Sequence, residues 1–208
     1  MKKAYFELTD MCSDLNFDTN RATELIKEVN INQVIDTHKI GDAYYPTTLL
    51  EAAILNFNIS MVKLLLANGA NPNFIDDLNR VDPVLWNLQY PSDSNTEKDN
   101  NTQLKITQLL LENDASPLIE SERECLFNYV CFATFNDDYD YIWEYRSRFF
   151  ILLIAYGGKS EYCTPVILKP FDMKSLDQYR FYLVPCDDGY HLTGKVVDKN
   201  DTTIATVY

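Results

Sequence analysis

The chain has 208 residues, 46% hydrophobic and 24% charged, and a formal charge of −13 from 18 basic and 31 acidic side chains. That composition excludes wholesale disorder and allows a sizeable core. The acid excess excludes a phosphate backbone or an anionic membrane surface as the ligand, because carboxylates repel both. Residues 76–144 hold fifteen acids and four bases, so this stretch carries −11 of the −13 and favours a basic protein partner, unless the acidity serves solubility alone.

At the N-terminus, MKKAYFELTDMCSD has two lysines but no apolar h-region, since Glu7 and Asp10 interrupt it, and no signal peptide is expected. The longest apolar run, FFILLIAY at 149–156, falls far short of the ~20 residues that span a bilayer. The five cysteines, Cys12, Cys125, Cys131, Cys163 and Cys186, are odd in number and never in CxxC spacing. They predict reduced thiols and a cytoplasmic protein.

In chain order, the first helical pattern is ATELIKEV at 22–29. TLLEAAILNFNISMVKLLLANGANPN at 48–73 then alternates two short helical patterns with a glycine stop, and Ala52, Ala53, Val62, Leu65 and Leu66 fall at inward spacing. Thr48 predicts an N-cap, with Glu51 completing a capping box by reaching back to the Thr48 amide. Gly69 supplies the left-handed residue that ends the second helix.

This stretch resembles an ankyrin repeat. Thr48, Leu50 and Ala53 match the opening of that signature, and Val62, Leu65, Leu66, Gly69, Ala70 and Asn73 match its close; Leu49 and Glu51 depart from it, standing for its proline and histidine. Residues 4–36 then read as a degenerate first copy. DPVLWNL at 82–88 restarts the pattern, with Asp82 as N-cap and Pro83 at the first helical position. Its second helix resumes as KITQLLLENDASP at 105–117, where Asp114 replaces the stop glycine. QYPSDSNTEKDNNTQ, between the two, reads as a surface loop. A further copy starts at ECLFNYVCF, 124–132, and resumes at RFFILLIAYGG, 148–158, with FNDDYDYIWEY as a second insertion at the same joint. Read as a helical continuation, that insertion puts Phe135, Tyr139, Ile142 and Trp143 on one face, to pack under the repeats, and Asp137, Asp138, Asp140 and Glu144 toward water; the alternative is direct contact with a partner.

CTPVILKP begins like another repeat at Thr164 and Pro165, but Pro170 stops it within a turn. RFYLVP, YHLTGKVVD and TTIATVY are β-rich and separated by CDDG and KND, both turn-forming. The expected fold is therefore mostly α: an ankyrin-repeat solenoid of about four repeats over 1–160, with two insertions, closed by a three-stranded antiparallel β-meander over 161–208.

Chemistry is sparse. There are two histidines, His38 in the loop before the strong repeat and His191 after the CDDGY turn. Cys186 and His191 could form a nucleophile and base with Asp187 or Asp188, but residues flanking a hairpin turn explain the spacing better. No phosphate loop, dinucleotide fingerprint, zinc spacing or calcium loop occurs, so no enzyme, metal or cofactor is expected.

The resemblance implies a protein-binding scaffold that works through its β-turn fingers and first helices. Position by position, the first finger offers Tyr44, Tyr45 and Thr47, followed by Leu55 and Asn56 on its helix. The second offers Asp77, Leu78 and Arg80, followed by Gln89 and Tyr90; the third offers Glu120, Ser121 and Arg123, followed by Cys131 and Phe132. The Tyr44–Tyr45 doublet has large contact area and few rotors to freeze, as a hot spot requires, unless one of the two packs over the loop at His38 to Ile40. The expected partner is a protein with a basic surface, not nucleic acid or membrane. The sharpest form of this expectation is an acidic inhibitor or immunity-type protein, bacterial in its compact size and eroded repeats, that masks a basic partner. The alternative is an adaptor or host-directed effector that bridges two proteins.

Overall fold

The computed structural model describes residues 2–40, 43–75, 84–88, 97–118, 140–158, 163–165, 179–185 and 192–207. Its chain forms two compact units, Met1–Asn87 with Asn113–Ala115, and Leu88–Glu112 with Ser116–Tyr208. The expected boundary at residue 160 lies inside the second unit.

In the first unit, α1 (Lys2–Ser13) and α2 (Thr19–Ile26) pack together, and α1 packs on α3 (Leu49–Leu55). Helix α3 packs on α4 (Ile59–Ala67) and on the short α5 (Val84–Asn87). Between α2 and α3, β1 (Ile35–Ile40) and β2 (Ala43–Thr47) form an antiparallel hairpin. The core is the apolar face of each helix: Leu8 and Cys12 of α1, Ala22 and Leu25 of α2, Leu49, Leu50 and Ala53 of α3, Met61, Val62 and Leu65 of α4. All five inward residues expected of the strong repeat are buried.

The caps explain where these helices begin and end. Asp18 precedes α2 in extended backbone and its carboxylate accepts from the Asn20 and Arg21 amides. Because Asp18 starts the helix at Thr19, α2 begins three residues before the expected 22–29 pattern and ends sooner. Arg21 forks onto Glu7 of α1, Nε to Oε1 at 2.7 Å and Nη2 to Oε2 at 3.1 Å, and the guanidinium holds the Glu7 carboxyl below its ordinary range. Thr48 Oγ1 accepts from the Glu51 amide at 3.1 Å, the expected first half of the capping box. The Glu51 carboxylate accepts a further bond from the Thr47 hydroxyl at 2.9 Å.

Helix α4 ends at Gly69 (φ +89°), whose amide donates to Leu66, while the Ala70 amide donates to Leu65. These are the two bonds of a Schellman stop, which needs a left-handed residue. Gly157 (φ +93°) repeats them in the second unit, with Gly157 donating to Ile154 and Gly158 to Leu153. Asp114, at φ 65°, stands at the equivalent place with a side chain, as its position in LLLENDA implies. Phe57 ends α3 in the same backbone, φ 53°, at a cost of about 1 kcal/mol relative to glycine.

In the second unit, α6 (Glu97–Glu112) and α7 (Asp140–Ala155) pack on each other. Arg148 Nη1, midway along α7, donates to Asn101 Oδ1 in the first half of α6, and the Tyr156 hydroxyl, just past α7, donates to Oε1 of Glu112, the last residue of α6, so the two run parallel. Every residue from Phe149 to Ala155 is buried, which makes the second half of α7 a helix enclosed on all faces. Tyr145 is buried with it, stacks on Phe149 and donates its hydroxyl to the Leu88 carbonyl; burial pushes that phenol well above its ordinary range.

Helix α6 begins earlier than expected, and α7 begins within the run expected to continue as helix. The polar stretch taken for a loop is helical from Glu97, and the FNDDYDYIWEY insertion is helical from Asp140. Once an apolar half such as ITQLLLE has nucleated, each added residue costs little, and Glu97, Lys98 and Gln103 are good helix formers. The rest of that insertion, the N-cap at Asp82 with Pro83, and ECLFNYVCF lie outside the described residues.

The C-terminal strands β4 (Arg180–Pro185), β5 (Leu192–Val197) and β6 (Thr203–Val207) pair antiparallel in sequence. A fourth strand, β3 (Cys163–Pro165), pairs antiparallel with β6, and the order is β3-β6-β5-β4. The sheet thus has four strands, and Thr164 and Pro165 open no further repeat: three extended residues ending in proline suit an edge. At the β5–β6 turn, Asp198 accepts from the Asn200 and Thr202 amides, and Asp201 takes a left-handed backbone. Those amides hold the Asp198 carboxyl below its ordinary range.

Candidate protein-binding surface

The β1–β2 hairpin is anchored at its base and changes register above it. Ile35 and Thr47 are opposite one another at the base and both are buried. Above them the ladder shifts by one residue between Asp36 and His38. His38 then pairs with Tyr45 and Lys39 with Tyr44. His38 is thus a strand residue, not a loop residue. The finger sets two residues that can carry positive charge opposite the two tyrosines.

Thr47 does not belong with the tyrosines. It is 2% exposed, and its hydroxyl is engaged with Glu51, so it locks the finger to the start of α3 rather than meeting a partner. Following it, α3 buries Leu49, Leu50, Ala52, Ala53 and Ile54 and leaves one free stripe. Glu51 is half-buried on that stripe and Leu55, four residues on, is 43% exposed. Asn56, also exposed, turns its amide back to the Ala52 carbonyl at 2.8 Å. Asp77, Leu78, Arg80, Gln89, Tyr90, Glu120, Ser121, Arg123, Cys131 and Phe132 lie outside the described residues, as do Cys186 and His191.

Two asparagines that sequence reasoning passed over hold this surface in place. Asn58 is 1% exposed and caps α4, its Oδ1 accepting from the Met61 amide at 3.0 Å. Its Nδ2 reaches the carbonyls of Met11, Cys12 and Asp14 at the end of α1. The N-cap signal was visible in FNIS; the tie to α1 is a long-range fact. Asn32, after α2, receives the Asn71 amide at 2.8 Å and donates to the Gly69 carbonyl at 3.3 Å. Asn73 does the same service one turn later, donating to the Asp114 carbonyl at 2.8 Å. Asn30-x-Asn32 and Asn71-x-Asn73 each close the same side-chain turn, the first asparagine accepting from the amide of the second. In the third turn Ser116 accepts from the Leu118 amide, but Leu118 carries no amide side chain to pass on.

Cys12 is buried and free, with its thiol directed to the Leu49 carbonyl, and burial pushes it up to about 12. Among the described residues no group of three or more His, Cys, Asp or Glu side chains is placed to hold a metal ion. No helix there is long and apolar enough to cross a membrane.

The Ankyrin repeat family model matches residues 47–77, a span that takes in Thr47, α3, α4 and the Gly69 stop. No curated protein matches the chain. The chain therefore carries an ankyrin repeat at residues 47–77, and the α1–α2 pair before it shares the asparagine turn of that repeat.

Proposed function

We propose that this ankyrin-repeat protein is a non-catalytic binding module that grips a protein partner with its first finger and the free stripe of α3. Ankyrin repeats mediate protein–protein contact, and the observation that carries the reading here is the rigid mounting of that finger. Ile35 and Thr47 bury its base, Thr47 is bonded to Glu51, and Leu55 and Asn56 are left exposed beside it. Tyr44 and Tyr45 are the proposed anchors, with Leu55 and Asn56 as the neighbouring contact. Asp77, Leu78, Arg80, Gln89, Tyr90, Glu120, Ser121, Arg123 and Phe132 would extend the surface along later fingers.

The partner is proposed to be basic, because the net charge is −13 and residues 76–144 concentrate it. An inhibitor or immunity-type role, in which the acidic surface masks a basic face of a second protein, follows from that charge. The test is affinity capture with the intact chain followed by titration of salt on the captured pair. Binding should weaken as salt rises and be lost in a Tyr44→Ala, Tyr45→Ala double variant. Salt-insensitive binding that survives both substitutions would defeat the reading. The two compact units favour a second reading, an adaptor with one partner for each. Deleting residues 171–208 separates the two: an adaptor loses one partner and keeps the other.

A further inference from the structure

The sequence contains one Asn-Gly pair, Asn68–Gly69, and it sits at the stop of α4. In such a pair the Gly69 main-chain nitrogen can attack the Asn68 side-chain carbonyl carbon. The Cγ–Nδ2 bond breaks, ammonia leaves and a five-membered succinimide forms. Water then adds to either ring carbonyl and opens it to an aspartyl or isoaspartyl linkage at position 68. Glycine favours this because it has no side chain to obstruct the attacking nitrogen. Asn68 and Gly69 are both exposed, so water has free access.

Every group the reaction must move is held in the folded chain. The departing amide, Nδ2, donates to the Leu64 carbonyl at 2.8 Å. The attacking Gly69 N–H donates to the Leu66 carbonyl at 3.0 Å. Asn68 has ψ 15°, which places the Gly69 nitrogen almost in line with Asn68's own nitrogen and turned away from Cβ. Rotating that bond would break the stop. The Gly69 carbonyl is in turn held by Asn32, which also takes the Asn71 amide, so a residue 37 positions earlier pins both ends of the turn.

We infer that Asn68–Gly69 is a deamidation site gated by the Asn32 clamp, silent while the repeat is closed and reactive when its end opens. The change is irreversible and weakens the stop at which it occurs. It places a carboxylate at the negative end of α4, where the helix dipole disfavours it, and it removes the donor to Leu64. The isoaspartyl product also lengthens the main chain within a turn whose hydrogen bonds fix its length.

The experiment follows the mass and the peptide map of the full chain during incubation at mildly alkaline pH, native and urea-unfolded side by side. When opening and closing are fast, the rate tracks the open population. The native chain should therefore deamidate at Asn68 more than about tenfold slower than the unfolded chain, with Asn32→Ala about tenfold faster than wild type while still folded by circular dichroism. Should Asn32→Ala fail to fold, Asn32→Asp keeps the acceptor for the Asn71 amide and removes only the donor to Gly69, and it should also accelerate the reaction. Native deamidation as fast as in urea, or a folded Asn32 variant no faster than wild type, overturns the inference.

Discussion

Asn58 donates from Nδ2 to the main-chain carbonyl of Asp14 at 3.0 Å while its Oδ1 caps the Met61 amide, so one buried side chain joins the end of α1 to the start of α4. Removing it leaves an uncapped helix and buried carbonyls without their donor. Asn58→Ala should lower unfolding free energy by about 2–3 kcal/mol in urea denaturation. Asn58→Thr, which keeps a capping oxygen but lacks the amide donor, should lose roughly half of that. Equal losses for both would show that the tie to α1 contributes nothing.

Gly69 and Asp114 occupy the same backbone at successive helix stops, and opposite substitutions should have opposite signs. A Cβ on Gly69 would meet nothing within 4 Å, so Gly69→Ala isolates the backbone cost of φ +89°, about 1 kcal/mol. Asp114→Gly should raise stability by about 0.5–1 kcal/mol, since it relieves a left-handed φ of 65° without removing the carbonyl that Asn73 uses. Thermal midpoints of the two variants, compared with wild type, check the pair.

Alkali should unfold the chain through Cys12. Burial lifts the thiol from an ordinary 9.0 to about 12, so the folded state keeps it protonated where the unfolded state ionises. The contribution is complete below pH 9.0 and is lost as pH climbs toward about 12, on the order of 2 kcal/mol by about pH 10.5. Tyr145, raised by the same cause, adds to the slope above its ordinary 10.0. Unfolding free energies measured from neutral to alkaline pH should show the decline, and Cys12→Ala should remove the part that begins near 9.0.

On the α3 stripe, Leu55 is 43% exposed and stands outside the buried core. Leu55→Ser should leave stability within about 0.5 kcal/mol and weaken capture of the partner. A variant that binds unchanged would move the contact surface away from α3.

The central repeat was legible because its signals are local. A cap at Thr48, inward spacing through Leu66 and a left-handed stop at Gly69 each act within a few residues, and they place α3 and α4 correctly. The start of α6 was not legible, since polar residues that look like a loop become helix when an apolar half already exists downstream. The finger was half legible: β-branched Ile35 and Thr37 lie in β1, while a lone histidine such as His38 carries no strand signal of its own. Thr47, expected at the finger from the resemblance alone, is buried, and its hydroxyl is taken by Glu51 in the next element, which no local pattern shows. The reach of Asn58 to α1 and of Asn32 to Gly69 spans some forty residues of chain, and no local pattern encodes it.

The asparagine turns all point one way. Asn32 donates forward to Gly69 and Asn73 forward to Asp114, so each donor precedes its acceptor in the chain. A polypeptide made from its N-terminus therefore presents a waiting hook before the loop it catches has been synthesised. Assembly can advance by one turn at a time as the chain emerges, with Leu118 marking the place where that hand-over stops.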